Sequence, residues 1–167
     1  LALPSEALTR AAADEWRAQA ETIDFESMPL TRLAFTALDR VGGARQGVIG
    51  QALKYAGTDL LCYRAETPEE LASQQHECWQ PLLDWAADAL GAPLRVTQGV
   101  SPVAQSEESL GALGAAVEGL DDMELAVLST LTAASGSLII ALAVLAGRIG
   151  ADGAFEVSQV DESFQIS

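Results

Sequence analysis

Apolar residues recur at three- and four-residue steps along most of this 167-residue chain, and that spacing predicts helices. Leu8, Ala12, Trp16, Ala20 and Ile23 make one stripe of a helix over residues 4–23, anchored by Trp16. Pro29 suits a first helical position. After it, Leu30, Leu33, Ala34, Ala37, Leu38 and Val41 trace the apolar face of a second helix, which Gly42 and Gly43 are expected to stop. Val48, Ile49, Ala52 and Leu53 predict a short helix ending near Gly57, and residues 60–65 (LLCYRA) read as a short strand or extended turn.

Thr67-Pro68-Glu69-Glu70 has the form of a capping box, with threonine as N-cap, proline at the first helical position and glutamate at the third. The helix it opens turns Leu71, Gln74, Cys78, Leu82, Trp85 and Ala89 inward with Trp79 beside them, bends at Pro81 and stops at Gly91. Residues 94–100 (LRVTQGV) suit an extended crossover, and Leu110, Leu113, Val117 and Leu120 another amphipathic helix. Asp121 and Glu124 repeat the capping arrangement. No charge occurs over residues 125–147, a length that raises the question of a membrane span. Ser129, Thr130, Thr132, Ser135 and Ser137 argue against one, and Ser135-Gly136-Ser137 reads as a break between two buried helices. Val157, Val160 and Phe164 then set the apolar side of a terminal helix whose other side carries Glu156, Asp161 and Glu162. The sum is a mostly α, multihelical single domain over residues 1–167 with at most a minor β element.

Composition supports a packed globule, since 49% of residues are hydrophobic and 20% charged. Charge narrows the function: 24 acidic residues against 9 basic ones leave a net −15, which repels nucleic acid and anionic membranes but suits cationic partner surfaces. Eight of the nine cations are arginines, and the ninth is Lys54. Cys62, Cys78 and the single His76 form neither a CxxC pair nor a zinc set, and the two thiols read as inert core groups. Gly42 and Gly43 match no phosphate-loop spacing. The carboxylate pairs Asp14-Glu15, Asp121-Asp122 and Asp161-Glu162 read as caps or solvated faces. No catalytic residue, metal or other cofactor is therefore expected. Trp16, Trp79 and Trp85 are core fillers by default, with an interface role as the alternative.

Several motifs carry a resemblance. Glu15-Trp16 and Gln19, residues 28–40 (MPLTRLAFTALDR), residues 58–65 (TDLLCYRA), Gln74, Trp79-Gln80-Pro81-Leu82-Leu83, Trp85 and residues 155–166 (FEVSQVDESFQI) follow the order and spacing of the F1-ATPase alpha-subunit assembly chaperones. The chain resembles that family over almost its whole length. It departs from it in lacking a β-rich N-terminal portion and a Trp-Gly segment after Gln165, so a fragment is one expectation. The resemblance implies a chaperone that is not an enzyme, a monomer that holds the unassembled alpha subunit and shields its beta-facing surface. It also implies a bacterial cytoplasmic location, or the mitochondrial matrix in a eukaryote. The resembling motifs make Trp16, Asp59, Tyr63, Arg64, Trp79 and Trp85 the positions expected to be most sensitive, for stability and for client binding. Glu156, Asp161 and Glu162 are the expected client-facing acids. Two other readings remain: a general acidic scaffold for basic partners, and a small enzyme using Arg64 with Asp59 in a cleft, although Arg64 is more simply expected to pair with an acidic side chain.

Overall fold

The computed structural model describes residue 3 and residues 5–166, apart from the side chain of Arg40. Among these residues are nine α-helices and one small sheet. Pro4, expected to open the first helix, lies outside the described residues.

Helix α1 (Glu6–Arg17) is capped by Ser5, whose hydroxyl accepts from the Leu8 amide. It ends at Arg17 instead of running to Ile23. The chain is bent away by Gln19, whose side chain donates to the Glu15 carbonyl and to Ser27 Oγ and accepts from the Asp24 amide. Ala20 and Ile23 therefore leave the predicted stripe. A 3₁₀ turn (Phe25–Ser27) leads into α2 (Pro29–Phe35) with proline at its start, as expected.

Gly42 and Gly43 do not stop the next helix. Helix α2 widens into a π-helical segment (Thr36–Val41) and passes directly into α3 (Gly42–Ala56), with Ala44 off the helical backbone at φ −141° and ψ 31°. Glycine in a helix costs about 1 kcal/mol. Burial of Val41, Ile49, Ala52 and Ala56 offsets that cost and carries the chain across the glycines. Leu38, predicted on the apolar face, is exposed, because the wider π turn rotates it off that face.

Residues 60–65 divide into a 3₁₀ turn (Leu60–Cys62) and strand β1 (Tyr63–Arg64), which pairs in parallel with β2 (Thr97–Gln98), the extended element expected near there. Helix α4 (Glu69–Leu90) has no capping box: Pro68, at ψ 160°, is itself the N-cap, so Thr67 sits one residue too early to reach the first turn. The helix runs through Pro81 and closes on Gly91 in the left-handed conformation (φ 66°). Its buried face is Gln75, Trp79, Leu82, Leu83 and Ala86. Of the predicted inward stripe, Leu82 and the Trp79 set beside it are buried, Leu71, Cys78 and Trp85 are half-buried against the core, and Gln74 and Ala89 are exposed.

Helix α5 (Glu107–Glu118) buries Leu113 and Val117 as predicted. The capping box of α6 (Asp122–Ser135) is present in both directions, Asp121 accepting from the Glu124 amide and Glu124 from the Asp121 amide. Gly136 then breaks the uncharged run at φ 70° and α7 (Leu138–Leu145) follows. Helix α7 is buried all round from Leu138 to Ala143 and forms the centre of the molecule, packed by α3, α4, α6 and α8. No helix among the described residues is long and apolar enough to cross a membrane. The expected terminal helix is two, α8 (Ala151–Ser158) and α9 (Val160–Ile166), broken at Gln159 where ψ reaches 18°. Val160 is still buried.

Candidate functional site

The residues of the TDLLCYRA segment form a junction between the central helix and the C-terminal ones. Asp59 is fully buried and accepts from the Leu61 amide (3.1 Å), the Ser137 hydroxyl (2.7 Å) and the Ile139 amide (3.1 Å). It thereby caps its own turn and the start of α7. Burial pushes its pKa up to about 6, against the pull of those hydrogen bonds. Every one of these partners is a donor, so the site holds the carboxylate ionised at neutral pH.

Arg64 is aimed the other way. Its guanidinium lies 5.1 Å from the centre of the Trp79 ring and donates to the Gln75 carbonyl (2.5 Å) and Gln80 Oε1 (3.4 Å). The expected acidic partner is absent: Arg64 has no ion pair among the described residues, because a carbonyl and an aromatic face take up its fork. Burial lowers its pKa, with the neighbouring Cys62 opposing. Asp59 and Arg64 thus serve different helices and do not assemble an acid–base pair in a cleft.

Two further bonds reach the C-terminal segment. Trp79 Nε1 donates to the Val157 carbonyl (2.8 Å), and Gln75 accepts from the Ala65 amide (2.7 Å) while donating to Asp161 (2.7 Å). Gln75 is a residue that sequence reading missed, a polar side chain outside the predicted inward stripe whose burial its distant partners explain. Tyr63 and Trp85 are half-buried against the core. Trp16 is 43% exposed and meets Phe25 edge-on with ring centres 6.5 Å apart, so it anchors a surface pair and not the core. Glu156 and Glu162 face solvent, whereas Asp161 is held by Gln75.

Glu15, one of a pair read as caps or solvated faces, is a cap, and a long-range one: it accepts from the Leu30 and Thr31 amides and the Thr31 hydroxyl, each at 2.8 Å. Partial burial raises its pKa, but those three bonds win and hold it below the usual value. Cys62 is pushed up to about 12 by burial and the Asp59 charge, against Arg64, and Cys78 is raised by burial and by Glu77 and Glu156. Both thiols stay protonated and poorly nucleophilic at neutral pH. No cluster of side chains among the described residues has the makings of a metal site.

What the surface offers instead is contact area. Phe155 is 67% and Ile166 87% exposed, on the same two helices as Glu156 and Glu162. Ile23, Phe25, Phe35 and Leu38 are also exposed, near the N-terminal helices. Apolar side chains that together form a patch in water mark binding surfaces, whereas single exposed ones are ordinary.

A sequence model of the ATP12 chaperone protein family matches residues 1–87, slightly more than half of the chain. The chain belongs to that family. Among solved structures, Atp12 from Paracoccus denitrificans is 49% identical, with a TM-score of 0.94 over 99% of this chain and 71% of that one. A point mutant of Atp12p from the same organism matches at 48% identity and TM-score 0.95, over 99% and 70%. A protein of Agrobacterium tumefaciens, described as a chaperone candidate, matches at 36% and 0.92, over 99% and 62%. Likeness to the ATP12 chaperones thus extends past α4 to the C-terminal helices, and membership makes this chain a chaperone.

Proposed function

We propose that this chain binds the unassembled alpha subunit of F1-ATPase one to one and covers the surface that later packs against the beta subunit. ATP12 family membership supports the class of activity. The observation that carries the client surface is the exposure of Phe155 and Ile166 beside Glu156 and Glu162 on α8 and α9. Apolar contact supplies affinity and acids around it steer a basic client and fix its register. Asp161 serves this surface indirectly, since its bond to Gln75 holds α9 against α4. Trp16 with Phe25 extends the apolar contact at the other end of the chain. Release needs no nucleotide: the beta subunit displaces the chaperone once the native interface is more favourable.

The net charge of −15 favours a second reading, a general acidic scaffold for basic proteins. Purified alpha and beta subunits, captured separately at low and high salt, distinguish the two. Capture of alpha alone, surviving salt, supports the chaperone reading; equal capture of both, abolished by salt, supports the scaffold.

A further inference from the structure

We infer that the groove between the π-helical segment, α3 and α6 holds a helical segment of the client that carries small residues and one lysine or arginine; the inference rests on the alpha-subunit reading above and names a contact additional to α8 and α9.

The groove has a volume of about 700 Å³. Its floor is apolar, with Val41 and Ala126 buried and Val48 half-buried. Along α3 it is bordered by Gly43 and Gly47, four residues apart, and a Cβ added at either would meet nothing within 4 Å. A missing side chain on a packed helix face is filled space; here it is open space, so both glycines widen the trough. Helices approach one another at a distance set by the side chains between them, and a trough with two glycines on one wall admits a helix whose own contact residues are small.

Charge selects the occupant further. Asp39 lines the groove; among the described residues it makes no hydrogen bond or ion pair, and no lysine or arginine among them lines the groove. Thr36 and Thr130 spend their hydroxyl protons on the Arg32 and Ala126 carbonyls of their own helices, each at 2.9 Å. They therefore present acceptor lone pairs; Gln51 and Ser129, which also line the groove, can answer neutral donors or acceptors, so it is the charge of Asp39 that favours a cationic donor. A second copy of this chain is a poor source, because at net −15 two copies repel. Phe35 and Leu38, exposed on the wall formed by α2 and the π segment, add apolar contact beside the groove. The π turn and the off-helix Ala44 are the irregular backbone at the junction of this wall with α3.

The test compares the whole chain with Gly47→Leu, Asp39→Lys and Asp39→Glu in titrations against purified alpha subunit, with circular dichroism and melting to monitor the fold. Gly47 has ordinary helical backbone and open space above it, so Gly47→Leu is expected to fold with an unchanged or higher Tm. Both Gly47→Leu and Asp39→Lys are expected to weaken alpha binding by about tenfold or more, and Asp39→Glu to retain it. Wild-type affinity in folded Gly47→Leu and Asp39→Lys overturns the groove while leaving the alpha-subunit reading intact. Failure of the unmodified chain to bind alpha overturns that reading, and the groove's occupant with it. Self-association of the chain that Gly47→Leu abolishes overturns the client assignment in favour of a second copy.

Discussion

Deleting the Asp59 carboxylate strands the Ile139 amide and the Ser137 hydroxyl inside the protein. Asp59→Ala is therefore expected to lower stability by about 2–4 kcal/mol in urea unfolding, a large part of a typical domain's total. Its pH dependence has a defined sign. The folded pKa of about 6 lies above the ordinary carboxylate value of 3.8, so the folded state holds the proton more tightly. The stability this group contributes is complete below about pH 4 and is lost as pH rises through about 6. The stability gap between wild type and Asp59→Asn should shrink between pH 4 and pH 7, and a gap that widens contradicts the burial argument. At the same scale, Trp79→Phe keeps most of the packing but leaves the Val157 carbonyl without its donor, at a cost of about 1–3 kcal/mol. Hydrogen exchange should then speed up in α8 first. Some of these residues declare themselves in the sequence and others do not. Asp121 and Glu124 are legible because a capping box is local. Glu15 and Gln75 are not, since their partners lie ten or more residues away and no periodicity records them.

Helices whose ends are local chemistry are legible too: Pro29 opens α2, Gly91 closes α4 and Gly136 separates α6 from α7. Where tertiary packing overrides propensity, pattern alone misplaces the element. Gly42 and Gly43 read as a stop, yet burial of Val41 and Ile49 against the core draws the chain on through a π turn. The inward face of α4 comes out one position off because a glutamine, not the apolar run, is pulled inside by Ala65 and Asp161. Glycines that look alike in sequence differ accordingly. Gly136→Ala forces a side chain into a left-handed backbone and is expected to cost about 1–2 kcal/mol. Gly47→Ala, within α3, is expected to gain about 0.5–1 kcal/mol, and thermal melts of the two variants should move in opposite directions.

For the whole molecule, the resembling motifs turn out to be chiefly architectural. Asp59, Arg64 and Trp79 tie β1 and α4 to α7 and α8, whereas the client surface proposed above is built from exposed apolar and acidic side chains of α8 and α9. The helical class was legible from stripes and caps, while the split of the last helix at Gln159 and the groove beside α3 exist only once the helices are packed. A chaperone with this surface should discriminate between subunits by shape, and charge should set the rate of encounter more than the affinity. Charge reversal at Glu156 and Glu162 should therefore weaken alpha capture mainly at low salt, whereas Phe155→Ser should weaken it at any salt. The most direct measurement is equilibrium capture of purified alpha and beta subunits by the unmodified chain across a salt series. The account predicts a one-to-one complex with alpha that persists at high salt and dissociates when beta is added; equal binding of both subunits, or complete loss of alpha at moderate salt, would contradict it.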